Sequence, residues 1–213
     1  MRHFITLVLL VVVQLSNAQT SLEAKALLDR VSKQIKSYEN LTFDFLYVLE
    51  NKQEDIRQEA KGDVVVAGER YKLNFLNIIQ LADGVKTYTI IPENEEVTIS
   101  KANDEQNFGI NPSKLLYFYK SGYDYQWDIK QNVLGKEIQF VKLIPSDENK
   151  DISYLLLGVD TKANHIYRLI EIGKNGTRTT LTVKNQNENV NLATDFFAFN
   201  QTDYPDYYIN EEF

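Results

Sequence analysis

The sequence contains no cysteine, which excludes disulfide bonds and thiol-based catalysis. It contains two histidines, and one of them, His3, lies in the first few residues. A zinc site built from His and Cys is therefore excluded, and a Ser–His–Asp triad would have to use His165. His165 begins a predicted strand, so we interpret it as a structural residue. The sequence predicts no metal, no cofactor and no enzymatic activity.

Basic residues are also few, because 23 Lys and Arg stand against 30 Asp and Glu and the net charge is −7. Domains that bind nucleic acids are typically basic. Segments that bind anionic membranes carry clusters of Lys and Arg. The charge balance therefore argues against nucleic acid as a partner and against attachment to an anionic membrane surface.

Long hydrophobic runs are missing from the chain after residue 18. The run Phe4–Leu15 is shorter than the roughly 20 residues that a membrane-spanning helix needs. Arg2 precedes this run, and the small residues Ser16 and Ala18 follow it, which is typical of a secretory signal peptide. We predict that residues 1–18 are a cleaved signal peptide and that residues 19–213 form a single exported domain.

The pattern of apolar residues changes once along the chain. Residues 21–41 have helical spacing, with Leu22, Ala26, Leu27, Val31, Ile35 and Tyr38 on one stripe. From Leu41 the apolar period becomes two, which predicts strands. These strands cover 41–50, 60–68, 70–76, 78–82, 86–91, 96–100, 124–131, 137–145, 152–160, 165–173 and 178–186, with a last apolar run at 194–200. Short reversals such as Asp83-Gly84 predict antiparallel neighbours.

A second, short helix is predicted in the middle of the chain. Pro112 is placed to open it and Gly122 to end it, since proline is favoured in the first helical turn and glycine after the last. The fold class is therefore mainly β with helices (α+β), with about 10–11 antiparallel strands.

Several strands carry bulky side chains on both faces, although a half-buried sheet needs only one apolar face. Segments 41–50, 137–145 and 152–160 are examples, and the chain has 13 tyrosines and 11 phenylalanines. The second face could be filled by a solid core, by another protein or by an apolar ligand. Residue pattern alone leaves these alternatives open.

The order of short motifs resembles the LolA family of periplasmic lipoprotein carriers. The motifs are Phe43-Asp44-Phe45, Gly62–Val66, Tyr71–Phe75, Ala82–Ile99 with its Asp83-Gly84 and Pro92, Asn111–Leu116, Val141–Pro145 and Phe196–Asn200. Together they cover almost the whole chain after the signal peptide.

This resemblance implies an incomplete antiparallel β-barrel whose apolar cavity is closed by a helical lid. It implies a periplasmic protein of a Gram-negative bacterium that binds lipoprotein acyl chains. The expected partners are an inner-membrane ABC-type lipoprotein exporter and an outer-membrane acceptor, with the carrier itself a monomer. An alternative is a protein of the same fold that binds another apolar ligand, such as a lipid, a glycolipid or a pigment precursor.

The resemblance also assigns roles to individual residues of this chain. The expected cavity wall comprises Phe43, Phe45, Tyr47, Val64, Val66, Tyr71, Leu73, Phe75, Tyr88, Ile90 and Trp127. The expected lid comprises Leu27, Leu28, Val31, Ile35, Leu115, Leu116 and Phe118. Carriers of this family typically hold the lid with an Arg-Pro pair after the second strand. Here Ala67-Gly68-Glu69 stand in that place, so Arg70, two positions later, is the candidate for lid gating.

Overall fold

The computed structural model describes residues 21–102, 112 and 116–212. The predicted signal peptide and the predicted lid residue Leu115 lie outside these residues. Within the described part of the chain, no helix is both long enough and apolar enough to cross a membrane.

The described chain contains one α-helix and twelve strands. Helix α1 covers residues 21–36. The strands are β1 (Leu41–Asn51), β2 (Ile56–Ala67), β3 (Arg70–Phe75), β4 (Ile78–Ala82), β5 (Lys86–Ile91), β6 (Glu96–Lys101), β7 (Tyr123–Val133), β8 (Lys136–Pro145), β9 (Ile152–Asp160), β10 (His165–Gly173), β11 (Arg178–Glu188) and β12 (Tyr208–Glu212). Short 3₁₀ turns occur at Pro92–Asn94, Phe118–Lys120 and Gln201–Asp203.

The strands form one open sheet in the order β12-β6-β5-β4-β3-β2-β1-β11-β10-β9-β8-β7. Strands β2 to β6 pair antiparallel in succession, and so do β7 to β10. Strand β12 departs from the prediction because it runs parallel to β6, with Tyr208 opposite Glu96. The predicted count of 10–11 antiparallel strands is therefore corrected to twelve strands, of which one pairs in parallel.

Two further predictions about elements need correction. The predicted second α-helix is helical at Pro112, residues 113–115 lie outside the described chain, and residues 116–120 form a turn followed by the 3₁₀ turn Phe118–Lys120 instead of helix. The apolar run 194–200, predicted as a strand, is a series of turns and unpaired backbone. The phenylalanines at 196, 197 and 199 gave a pattern that resembles a strand. In the structure Phe197 packs in the buried cluster on the sheet, and this segment does not pair as a strand.

The chain divides into two compact units, which are described separately. Among the described residues, unit 1 comprises 21–34, 50–56 and 119–180, and unit 2 comprises 35–49, 57–102, 112, 116–118 and 181–212. The prediction of one domain over residues 19–213 stays a prediction.

Unit 1 is built from β7 to β10 and most of α1, and both faces of its strands are apolar. Val141 lies opposite Leu157, and both are buried. The alternate face carries the buried cluster of Ile138, Phe140 and Ile170. This unit therefore shows the two-sided apolar pattern that the sequence predicted for 137–145 and 152–160.

Helix α1 is amphipathic, as its spacing predicts. Its buried side chains are Ala24, Leu27, Leu28, Val31 and Ile35. Leu22, which the sequence placed on the same stripe, is 69% exposed because it lies in the first turn. The helix carboxylate Asp29 acts on the Tyr125 hydroxyl within unit 1, where it adds to the effect of burial in raising the Tyr125 pKa.

Candidate functional site

The candidate site is one face of strands β2 to β6 in unit 2, which we call the Tyr71 face. The pairing register places Val64, Leu73, Gln80 and Thr89 in one row across the sheet. Because side chains alternate along each strand, the next row on the same face comprises Val66, Tyr71, Ala82, Thr87 and Ser100. The opposite side of the same strands is the Tyr88 face.

Aromatic side chains of β1 and β3 form the apolar end of the Tyr71 face. The ring centroids of Phe45 and Tyr47 each lie 5.3 Å from that of Phe75. Glycine is required at position 62, since a Cβ atom there would lie 2.3 Å from Cζ of Phe45. A glycine in β2 thus lets an aromatic side chain of β1 lie directly on the backbone.

A cleft of about 1430 Å³ opens at this aromatic end. Its lining includes Phe45, Gly62, Phe75 and Ile78, all of which belong to the Tyr71 face or its extension on β1. Polar side chains form other parts of the lining, namely Asp44, Glu59, Lys61, Asp63, Asn74, Asn77, Glu93, Lys184 and Asn185. Asp63, Asn74 and Ile79 belong to the Tyr88 face, so residues of both faces border the cleft.

The Tyr71 face becomes polar toward β4, β5 and β6. Gln80, Thr87, Thr89 and Ser100 are all buried there. The Tyr71 hydroxyl donates to Oε1 of Gln80 over 3.5 Å. Burial raises the pKa of Tyr71, and a hydrogen bond with Thr87 acts in the opposite direction. The face therefore joins an apolar half on β1 to β3 with a neutral polar half on β4 to β6.

The Tyr88 face is covered by the chain's own C-terminal segment. Leu81, Tyr88, Ile90, Val97, Ile99 and Phe197 form one buried cluster on it. Partly buried residues of the segment 189–209 complete this packing, namely Leu192, Phe196, Phe199, Tyr204, Tyr207 and Ile209. This side of the sheet is a solid core.

Ring stacking and hydrogen bonds hold the C-terminal segment in place. Tyr88 stacks on Phe199 with centroids 4.5 Å apart, and Phe199 stacks on Tyr204 at 5.5 Å. At the start of the segment, Asn40 accepts from the backbone N–H of Val190 and donates to its carbonyl, both at 2.9 Å. These contacts all lie inside unit 2.

The Asp83 carboxylate organises the β4–β5 turn beneath this core. It accepts hydrogen bonds from the backbone N–H groups of Val85 and Lys86, both at 2.7 Å, and from the Tyr88 hydroxyl at 3.1 Å. Burial acts to raise the Asp83 pKa, but these hydrogen bonds together lower it. The pKa of Tyr88 is raised to about 12, first by burial and then by the hydrogen bond to Asp83 and the charges of Asp83 and Glu211.

Within unit 2, the structure places most of the predicted wall residues on one side of the sheet and two of them on the other. Phe43, Phe45, Val64, Val66, Tyr71 and Leu73 are buried, and Tyr47 and Phe75 are half-buried on the same side. Tyr88 and Ile90 are a correction: Tyr88 pairs with Leu81, and both belong to the Tyr88 face. Trp127 belongs to unit 1, where it pairs with Val141 and is half-buried.

The candidate for lid gating, Arg70, also lies on the Tyr88 face. Its guanidinium is 5.1 Å from the ring centroid of Phe197, a cation–π distance. Lys72, two residues later on the same face, is 5.6 Å from the ring of Phe196. Arg70 thus contacts the C-terminal segment, and its role in lid gating stays a prediction.

The predicted lid residues are placed as follows. Leu27, Leu28, Val31 and Ile35 of α1 and Leu116 are buried, and Phe118 is half-buried. Lys36, in the last turn of α1, lies 5.9 Å from the ring of Tyr117 within unit 2. The role of these residues as a lid stays a prediction.

Sequence reasoning missed the polar half of the Tyr71 face, although a signal for it was present. In β5 the residues Thr87 and Thr89 alternate with Tyr88 and Ile90, so threonine and aromatic residues must face opposite sides. The Asp83-Gly84 turn fixes the register of β4 against β5 and could have decided the phase. Among the described residues, no group of three or more His, Asp or Glu side chains is arranged to hold a metal ion.

The open, twelve-stranded sheet with its buried aromatic and aliphatic side chains defines a mainly β protein. The sequence model described as "Outer membrane lipoprotein carrier protein LolA" matches residues 40–200, most of the chain. This chain therefore belongs to the LolA family, which confirms the resemblance.

Comparison with curated proteins finds no match. Among solved structures, an uncharacterized conserved protein from Thermus thermophilus is similar, with a TM-score of 0.59 at 11% identity over 89% of this chain and 99% of that one. A LolA superfamily protein from Nitrosomonas europaea has a TM-score of 0.44 at 10% identity, over 83% and 97% of the two chains. MucB in complex with MucA has a TM-score of 0.45 at 17% identity, over 83% and 60%. At these identities the likeness concerns the fold.

Proposed function

We propose that this protein is a periplasmic carrier of lipoproteins in a Gram-negative bacterium. It takes their acyl chains from an inner-membrane ABC-type exporter and delivers them to an outer-membrane acceptor. The observation that supports this most is that the family match over residues 40–200 contains the whole Tyr71 face. The match names a lipoprotein carrier, and the face contains the apolar side chains to which we assign acyl binding.

The proposed acyl-binding wall is the apolar half of the Tyr71 face with its extension on β1. It comprises Phe43, Phe45, Tyr47, Val64, Val66, Tyr71, Leu73 and Phe75. Each methylene buried there contributes about 0.8 kcal/mol, so a few acyl chains together offset the cost of leaving a membrane. Because such contacts are non-directional, the cargo is released without breaking a covalent bond.

The proposed cover is helix α1 together with Leu116 and Phe118. Its buried leucine, valine and isoleucine side chains compete with cargo for apolar contacts. A cover that is stable without cargo lowers the apparent affinity by the population of the open state. This competition keeps binding reversible, as a shuttle requires.

Binding of a synthetic triacylated peptide, followed by native mass spectrometry, tests the proposal. Leu73→Asp places a charge on the wall and is expected to abolish the complex. Leu134→Asp is the matched control, because Leu134 is 97% exposed and lies in a turn. If Leu73→Asp does not fold, Val64→Thr is tested in its place. This change keeps nearly the same volume and puts a polar group at a buried wall position.

The same measurement separates the alternatives. A peptide complex that Leu73→Asp abolishes and Leu134→Asp retains supports the lipoprotein carrier. Co-purification of free lipid or pigment, with no triacyl-peptide complex, would assign the face to another apolar ligand. An intact fold that binds no acyl compound would contradict the carrier function.

A further inference from the structure

We propose that the end of the β7–β8 hairpin, in unit 1, is a contact site for a lipid bilayer with anionic headgroups. Leu134 enters the interfacial region of the bilayer, and the lysines next to it contact the headgroups. This inference goes beyond the proposed function, because binding of an acylated peptide in solution requires no bilayer. Leu134 is not part of the proposed acyl-binding wall.

The first support is the exposure of Leu134. Val133 pairs with Lys136, so Leu134 and Gly135 form a two-residue turn at the end of the hairpin. Leu134 is 97% exposed, more than any other large apolar side chain of the described residues. Its side chain therefore contributes nothing to the core.

The second support is the backbone conformation of this leucine, because a single exposed apolar residue is ordinary on its own. The φ angle is 51° at Leu134 and 81° at Gly135, as in a type I′ turn, where Asn, Asp and Gly are favoured. In the described chain, most other non-glycine residues with positive φ are of these types, namely Asp55, Asn77, Asn164, Asn185 and Asn189. The turn thus has a leucine at a position where asparagine would fit the fold better.

The third support is that the hairpin end is well held. The backbone N–H of Gly135 donates to Oδ1 of Asn132 over 3.1 Å. Val133, directly before the turn, packs against the buried cluster of Ile138, Phe140 and Ile170. Leu134 is therefore presented outward by an ordered turn, and insertion requires little ordering of the chain.

The fourth support is the local charge. The β9–β10 turn is next to the hairpin end, because Ile138 pairs with Asp160 and the Thr161 hydroxyl donates to the Glu137 carboxylate over 3.0 Å. In segments 129–138 and 160–165, which are fully described, the exposed ionisable residues are Lys130, Lys136 and Lys162.

The carboxylates of these two turns are both engaged within the protein. Glu137 forms a 3.0 Å ion pair with Lys130. Its pKa is lowered, first by the hydrogen bonds from Lys130 and Thr161 and then by the charges of Lys130 and Lys162. Asp160 is buried and accepts hydrogen bonds from the backbone N–H groups of Lys162 and Ala163. The net charge of −7 belongs to the whole chain, whereas this end of the hairpin presents cations.

A bilayer fits this arrangement better than a protein partner does. A stable protein interface buries a patch of many side chains, whereas one leucine next to a few lysines suits the boundary between acyl chains and anionic headgroups. Such binding is weaker than that of a single acyl anchor and is reversible. A carrier that leaves the membrane again requires a contact of this kind.

Co-sedimentation of the protein with vesicles tests the proposal. The chain without its predicted signal peptide is mixed at low salt with vesicles of phosphatidylcholine and phosphatidylglycerol, or of phosphatidylcholine alone. We expect binding to the anionic vesicles, and release as salt is added. Leu134→Asn should weaken this binding about tenfold, because the apolar side chain is lost. Lys136→Gln and Lys162→Gln should each weaken it about fivefold.

Two controls separate a membrane contact from a change in folding. Asparagine favours positive φ, so the thermal unfolding temperature of Leu134→Asn should not fall. Val85→Asn removes an apolar side chain from a 75% exposed turn position in unit 2 and should bind vesicles as the wild type does.

A fluorophore reports the contact directly. Because the chain has no cysteine, Leu134→Cys and Val85→Cys can each carry one environment-sensitive label. On anionic vesicles the emission of the label at 134 should shift to the blue, and that of the label at 85 should not.

The outcomes are distinct from those that test the carrier function. Equal binding of the wild type and Leu134→Asn, or equal binding to the two kinds of vesicle, overturns the membrane contact. A wild type that binds no vesicle also overturns it and leaves a protein partner to explain the exposed leucine. The triacylated-peptide complex is measured without vesicles, so it decides the proposed function separately.

Discussion

The two faces of strands β2 to β6 both carry aromatic side chains and differ in what they contact. On the Tyr88 face, Tyr88 and Ile90 pack against Phe197 and its neighbours, so that side is completed by the chain itself. On the Tyr71 face, the aromatic end borders a cleft of about 1430 Å³ and the other end is polar. An excess of aromatic residues therefore does not by itself indicate a ligand surface, because Tyr88, Phe197 and their aromatic neighbours here form an ordinary core.

Phe197→Ala is the strongest way to break this comparison. Truncating a buried phenylalanine typically costs 3–5 kcal/mol, so we expect the free energy of unfolding to fall by about 4 kcal/mol. Urea denaturation measures this change, and Val85→Ala, at a 75% exposed turn position, is the control. The affinity of the folded variant for a hydrocarbon dye such as diphenylhexatriene should not change. Lost dye affinity with unchanged stability would make the Tyr88 face the ligand surface.

Local signals in the sequence predicted the central strands well. Strands β4 and β5 have the predicted bounds 78–82 and 86–91, because alternating residues flank an Asp-Gly turn that fixes their ends. Helix α1 was also predicted, although it ends at residue 36, before the predicted stop. Where neighbours in sequence are neighbours in space, the pattern was sufficient.

Contacts between distant parts of the chain could not be predicted in this way. Strand β12 pairs with β6 more than a hundred residues away, and no turn signal joins them. The run 194–200 is not a strand, and its Phe197 packs on the sheet. On the same side of the sheet as Phe197 lie Tyr88, Ile90 and Arg70, so the residues predicted for one wall are divided between the two faces.

Tyr88→Phe sharpens the comparison through pH. At pH 7 we expect the variant to lose about 1 kcal/mol of stability, since the hydrogen bond to Asp83 is removed. The wild-type pKa of about 12 exceeds the ordinary value of 10.0. Tyrosine therefore ionises more readily in the unfolded chain, and the wild type loses stability as the pH rises above about 10.

The difference in the free energy of unfolding between the wild type and Tyr88→Phe should accordingly become smaller between pH 10 and pH 12, as measured by urea denaturation at each pH. Tyr208→Phe is the control, because Tyr208 is 68% exposed on β12. A deficit that stays constant over this range would show that Tyr88 does not have the raised pKa that its contacts with Asp83 and Glu211 impose.

Thr42→Val has the smallest expected effect and concerns the side of β1 opposite Phe43 and Phe45. The Thr42 hydroxyl oxygen is buried and has no hydrogen-bond partner among the described residues. Replacing it with a methyl group of similar volume removes the desolvation cost, so the free energy of unfolding should rise by about 1 kcal/mol. Thermal unfolding would show a small upward shift. At Thr87 on the Tyr71 face the same substitution should lower stability instead, because that hydroxyl is hydrogen-bonded to Tyr71. Equal changes in the free energy of unfolding at Thr42 and Thr87 would show that the two hydroxyl groups contribute alike to stability, which contradicts the difference expected from their hydrogen bonding.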